Sequence, residues 1–144
     1  MIRNAVLLAA VALIFAALYH LVLLIADPSW TAFAGAPPEI VDSLREGTWV
    51  APVSIILIAG SLFVMAGFGL AAAGVIPRWP LQRIGLSLIA GIFLLRGLAI
   101  VPQLMTADIT QAFDLFHLFA SALIIFIGSA YLLAAFKLPP RATG

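Results

Sequence analysis

Four long apolar segments, over residues 5–26, 50–76, 81–101 and 112–136, dominate the sequence. About 20 apolar residues in a helix span the hydrocarbon core of a bilayer, and each segment reaches that length. A formal charge falls well inside only one of them. That charge is Arg96, in Leu94-Leu95-Arg96-Gly97-Leu98. An Arg near a helix centre costs about 2.5–3.5 kcal/mol on insertion scales. About ten Leu, Ile, Phe and Val residues in the same segment, at up to about half a kcal/mol each, offset it. The segment is therefore expected to insert, and Arg96 to be tolerated for a reason.

Composition agrees. Of 144 residues, 65% are hydrophobic and 9% charged, with a mean hydropathy of +1.22. A soluble domain carries about 25% charged residues. The fold class expected is all-α: a four-helix up-down transmembrane bundle, one integral membrane domain over residues 1–144. The net charge of +1 and the lack of a basic run argue against a nucleic-acid partner. The absence of cysteine removes disulfides, thiolate metal sites and thiol redox chemistry. No HExxH, Gly-x-Ser-x-Gly or phosphate-loop pattern is present, so a non-enzymatic protein is expected. The first apolar run is too long for a typical signal-peptide core and reads as a retained span.

Along segment one, Ala5, Ala9, Ala12 and Ala16 fall three or four apart and share a face, which His20 continues one turn later. Small residues let helices approach closely in lipid. The loop over residues 27–49 is acidic, with Asp27, Glu39, Asp42 and Glu46 against Arg45. Within it, Pro37-Pro38 at the start and Gly47 at the end bracket a short helix. Its apolar stripe of Ile40, Val41 and Leu44, flanked by Trp30, Phe33 and Trp49, predicts an interfacial position capping the bundle. Segment two holds two small-residue pairs, Gly67/Ala71 and Gly69/Ala73. Segment three holds Ser87/Gly91, and segment four repeats Asp114, Ser121, Gly128 and Ala135 every seven residues. These positions are expected to pack helices. Pro102-Gln103 closes segment three, and a polar stretch with Thr106, Asp108, Thr110 and Gln111 leads to segment four. The tail after Lys137, with Pro139, Pro140 and Arg141, is expected to fray.

Arg3, Arg78, Arg83, Lys137 and Arg141 flank one side of the segments, and Arg45 alone lies in a loop on the other. The positive-inside rule then predicts both termini and the middle loop in the cytoplasm. Counting inward from the outer ends, His20 and Arg96 lie about 9 Å deep and His117 about 6 Å, with Ser54 at a similar level. Asp114 sits near the boundary, and Gln103 two turns from Arg96 on the same side. The ionisable groups thus form one outer-leaflet layer. Asp114 is the first partner expected for Arg96, with Asp108, Asp27 and Glu46 in reserve.

Three readings of this layer follow. In the plainest, Arg96 snorkels outward or pairs with Asp114, and the histidines are satisfied packing residues. In the second, Arg96, His20, His117 and Asp114 bind a small molecule or lipid headgroup, or carry a transport path. In the third, His20 and His117 ligate a haem and Arg96 meets a propionate. No cofactor or metal is expected outside that third reading.

Phe33-Ala-Gly-Ala-Pro-Pro38, Ala73-Gly-Val-Ile-Pro77, Pro80-Leu-Gln-Arg-Ile-Gly-Leu86 and Leu94-Leu-Arg-Gly-Leu98 together resemble small four-helix bacterial inner-membrane proteins. The resemblance implies that fold and compartment and transfers no site residue. With the small-residue pairs, the expectation is a membrane protein that self-associates or serves as an accessory subunit of a larger membrane complex.

Overall fold

A computed structural model describes residues 1–104, 108 and 111–137, with the backbone alone for Gln103 and Leu104. The side chain of Gln103, together with Thr106, Thr110, Pro139, Pro140 and Arg141, lies outside the described residues. These form the helices α1 (Ile2–Val22), α2 (Pro28–Phe33), α3 (Pro38–Glu46), α4 (Val50–Ala72), α5 (Gln82–Leu98), α6 (Val101–Leu104) and α7 (Ala112–Lys137), with no strand among the described residues. Two units divide the chain, one of residues 1–11 and 65–144 and one of residues 12–64.

Among the described residues, three helices are long and apolar enough to cross a membrane: α1, α4 and α7. They are apolar all round, which marks a lipid-facing helix rather than one half-buried in a soluble core. Phe15, Leu57, Phe119 and Phe136 are exposed on them, as lipid contact requires. The fourth expected span is shorter than predicted: α5 has 17 residues, about 25 Å of helix, and stops at Leu98. Pro102 explains the stop. A proline lacks an N–H and its ring crowds the carbonyl four residues earlier, here that of Leu98. The chain tightens instead, with the Ile100 N–H donating to the Gly97 carbonyl at 3.3 Å.

In the first unit, α5 packs along α7. Close approach depends on glycine: a Cβ on Gly128 would stand 2.9 Å from Leu94 Cγ and 3.2 Å from the Ala90 carbonyl oxygen. Ser121, Gly128 and Ala135 are all buried, so the seven-residue repeat of segment four does mark a packed face. The turn from α4 to α5 is held by Gln82. Its Oε1 accepts the Trp79 N–H at 3.0 Å, and its Nε2 donates to the Phe68 carbonyl at 2.6 Å. The Trp79 ring meets the Phe68 ring edge-on at 5.0 Å.

In the second unit, α2 packs on α3. Asp27 caps α2, its Oδ1 accepting the Ser29 N–H at 2.8 Å, with Pro28 in the first turn. Helix α3 runs between the expected signals, from Pro38 to a left-handed Gly47 at φ 69°. Its Ser43 hydroxyl oxygen accepts the Ala51 N–H at 2.9 Å, satisfying one of the N–H groups that the start of α4 leaves unpaired.

On α1 the buried stripe is Val6, Ala9, Ala10, Leu13 and Ala17. Of the four alanines expected on one face, Ala9 alone is fully buried, while Ala5, Ala12 and Ala16 lie half-buried at its edge. The larger Val6 and Leu13 centre the stripe one residue further along the helix.

Candidate functional site

The second unit contains a cavity of about 340 Å³. The last turn of α1 supplies His20, α2 supplies Thr31, the Ala34–Pro37 turn forms one wall, and α4 supplies Ser54, Ile55 and Ile58. The volume falls within the range of about 300–1,000 Å³ typical of small-molecule sites.

His20 is oriented by its own helix. Its Nδ1 lies 2.7 Å from the Ala16 carbonyl oxygen. A carbonyl only accepts, so Nδ1 carries a proton and donates it to this bond. Thr31 is 2% exposed, and its hydroxyl is the one buried side-chain polar atom without a hydrogen-bond partner among the described residues. Buried hydroxyls are nearly always bonded, so the unpartnered oxygen of Thr31, enclosed by protein rather than open to the cavity, is a local cost to the fold. Ser54, half-buried, adds a second hydroxyl. No Asp, Glu, Lys or Arg lines the space.

Of the layer expected from sequence, His20 and Ser54 meet at this cavity. The rest belongs to the first unit. Arg96 is exposed in the last turn of α5, with no hydrogen bond or ion pair among the described residues. The expected Arg96–Asp114 pair does not form. Asp114 Oδ2 instead accepts the Asp108 N–H at 2.8 Å, in the first turn of α7 where a carboxylate suits the helix dipole. The early end of α5 is the reason: Arg96 stands beside the terminal carbonyls of its helix, which favour a cation. The one ion pair among the described residues is the exposed Arg45–Asp42 contact at 3.3 Å, adjacent turns of α3. His117 Nδ1 lies 2.8 Å from the Phe113 carbonyl oxygen, with its ring 4.2 Å from that of Phe113 and 5.4 Å from that of Phe116. No group of three or more His, Asp or Glu side chains among the described residues is placed to hold a metal ion.

Of the expected packing residues, Gly67 lies under Trp79, and a Cβ there would be 2.6 Å from the ring. Gly69 lies under the Tyr131 hydroxyl and against Ala10. Ala71 and Ala73 are buried. Gly91 differs: a Cβ there would meet nothing within 4 Å, and Ser87 on the same face is exposed. Gly85 under Phe68 and Gly97 under Ile125 are close contacts that spacing did not single out.

Thr31 is the site residue that sequence reasoning missed. Asp27-Pro28-Ser29 announces a helix start, but six residues are too few for a periodicity to show which side faces inward. No family model matches the chain, and neither the curated proteins nor the solved structures yield a match.

Proposed function

We propose that this chain is a non-enzymatic multi-pass protein of the bacterial inner membrane that binds a small molecule in the cavity walled by α1, α2 and α4. In this reading both termini and the α4–α5 turn face the cytoplasm, and the cavity opens toward the outer leaflet beneath the α2–α3 cap. The observation that carries it is the cavity itself, of about 340 Å³, walled by His20, Thr31 and Ser54 among apolar side chains and by no Asp, Glu, Lys or Arg. Arg96 does not line this cavity. Native mass spectrometry of the full chain, released from mild detergent, tests the reading. A bound small molecule is expected on the native protein and not on Ser54→Phe, which fills the cavity. Equal loading of both proteins overturns it.

Assembly with other subunits is a second reading, favoured by Arg96, an exposed cation without a partner among the described residues. An acidic side chain of a neighbouring subunit or a second copy would neutralise it. The same spectra decide: a homo-oligomer or a stoichiometric second polypeptide supports assembly, and a lone monomer counts against it. The glycines that suggested self-association are not free for it, since Gly67 and Gly69 are covered from within the first unit.

A further inference from the structure

Three cations gather at one end of the first unit with no anion to meet them. Arg78 lies in the turn from α4 to α5, Arg83 in the first turn of α5 and Lys137 at the end of α7, and all three are exposed. The packing of α5 on α7 brings Lys137 to the turn. Leu94 lies against Gly128 and Ile125 against Gly97, so the helices run antiparallel, three residues forward on one matching three back on the other. Continued to the end of α7, this register sets Lys137 level with Gly85, about 3 Å along the axis from Arg83. The acids of this unit, Asp108 and Asp114, stand at the start of α7, with Asp114 about 35 Å of helix away from Lys137. None of the three cationic side chains has a hydrogen bond or ion pair among the described residues.

Apolar side chains are set among these charges: Leu81, Ile84 and Phe136 are exposed beside them. Leu81 is the one non-glycine residue with a left-handed backbone among the described residues, at φ 55°, and it is 71% exposed. That backbone is strained for a leucine, and no protein packing offsets the strain here. The hydrogen bonds of Gln82 to Trp79 and Phe68 hold the turn in this shape. Helices α4 and α7, both apolar enough to cross a membrane, end at this surface. It therefore lies at the boundary of the bilayer, where long cations reach phosphates and apolar side chains reach the acyl region.

We infer that this end of the first unit docks an anionic phospholipid. Arg78, Arg83 and Lys137 meet its phosphate, and Leu81, Ile84 and Phe136 meet its acyl region. A soluble anion would use the cations and leave Leu81 in water, whereas a lipid engages both. The inference goes beyond the cavity and does not depend on it.

Trp79 stands in the turn and reports on it. In the full chain carrying Trp30→Phe and Trp49→Phe it is the only tryptophan. This protein is placed in phosphatidylcholine nanodiscs and titrated with brominated phosphatidylglycerol or brominated phosphatidylcholine, whose bromines quench a nearby indole. The glycerol lipid is expected to quench Trp79 at lower mole fraction, and added salt to erase the difference. Each cation at a membrane surface favours an anionic lipid by a factor of about five, so Arg78→Gln with Arg83→Gln should weaken the preference about 10- to 30-fold. Arg45→Gln, in the second unit, should leave it unchanged. Leu81→Asn, which tolerates the left-handed backbone, should weaken quenching by both lipids alike.

Equal quenching by the two lipids overturns the inference, as does a preference that survives loss of Arg78 and Arg83. If inorganic phosphate abolishes the preference at constant ionic strength, the surface takes a free anion and the lipid assignment falls. Unchanged quenching in Leu81→Asn overturns the insertion of Leu81.

Discussion

The hydroxyl of Tyr131 donates to the main-chain carbonyl of Met65 at 3.0 Å, joining α7 to α4 across 66 residues of sequence. The Tyr131 side chain is fully buried, and its hydroxyl lies directly over Gly69. In lipid an unmet phenol would be costly, so the contact both places the ring and satisfies its polar end. It also requires that residue 69 have no side chain.

Gly69→Ala is therefore expected to destabilise the protein by about 1–3 kcal/mol, because its methyl would collide with the Tyr131 hydroxyl and crowd Ala10. Tyr131→Phe is expected to lose about 0.5–1.5 kcal/mol, the net value of one hydrogen bond. Gly91→Ala is the opposite case. Its Cβ meets open space, and alanine is the better helix former by about 0.8–1 kcal/mol, so stability should rise. Reversible unfolding in mixed micelles ranks the three. An equal gain for Gly69→Ala and Gly91→Ala would show that helix propensity, not close contact, governs these sites.

Thr31→Val removes the unpartnered hydroxyl and keeps the shape. In the ligand-free protein it should stabilise the fold by about 1–3 kcal/mol, the desolvation penalty of a buried unsatisfied group. Thr31→Ser keeps the hydroxyl and should show no such gain. A loss of stability in Thr31→Val would mean that the hydroxyl finds a partner in the folded protein.

The sequence showed most of what depends on neighbours along the chain. The apolar runs located α1, α4 and α7, and the Pro38 and Gly47 bracket located α3. The repeat through Ser121, Gly128 and Ala135 located the packed face of α7. What it hid was action at a distance. Pro102 ends α5 at Leu98, four residues upstream, whereas the apolar run alone extends to the proline itself. That shift moved Arg96 from the interior of an expected span to a helix terminus. Small residues at 67 and 69 announced close contact but not their partners, Trp79 and Tyr131, which folding brings in from elsewhere. Of the candidate site, His20 and Ser54 were visible as polar residues at one depth. Thr31 was not, because a helix of one and a half turns has no readable face.

Asp27 is fully exposed, and the side-chain and backbone hydrogen bonds from Ser29 hold its carboxyl below its ordinary value, with Arg45 adding to the effect. A carboxyl whose folded value is depressed stabilises the fold above its unfolded value. That contribution fades as pH falls through the folded value. The cap on α2 should therefore loosen only at strongly acidic pH. Amide exchange at Ser29 reports it directly. Asp27→Asn keeps a side-chain acceptor without a titrating proton and should flatten the acid dependence at Ser29. An unchanged acid response in Asp27→Asn would assign the titration to another group.

Arg96→Leu separates an exposed terminal cation from a buried ion pair. A dry Arg96–Asp114 pair would make the substitution cost about 3–5 kcal/mol, since the carboxylate would be stranded. The structure instead exposes Arg96 in the last turn of α5 and gives Asp114 the Asp108 N–H. The loss expected is then about 0.3–1 kcal/mol, the interaction of a cation with a helix C-terminus. Asp114→Asn keeps an oxygen acceptor for that N–H and should also be mild. The double variant should be additive within about 0.5 kcal/mol, as for residues that share no contact. Unfolding of the two single variants and the double variant, measured in one micelle system, completes the cycle. A coupling of several kcal/mol would restore the ion pair and place Arg96 inside the membrane after all.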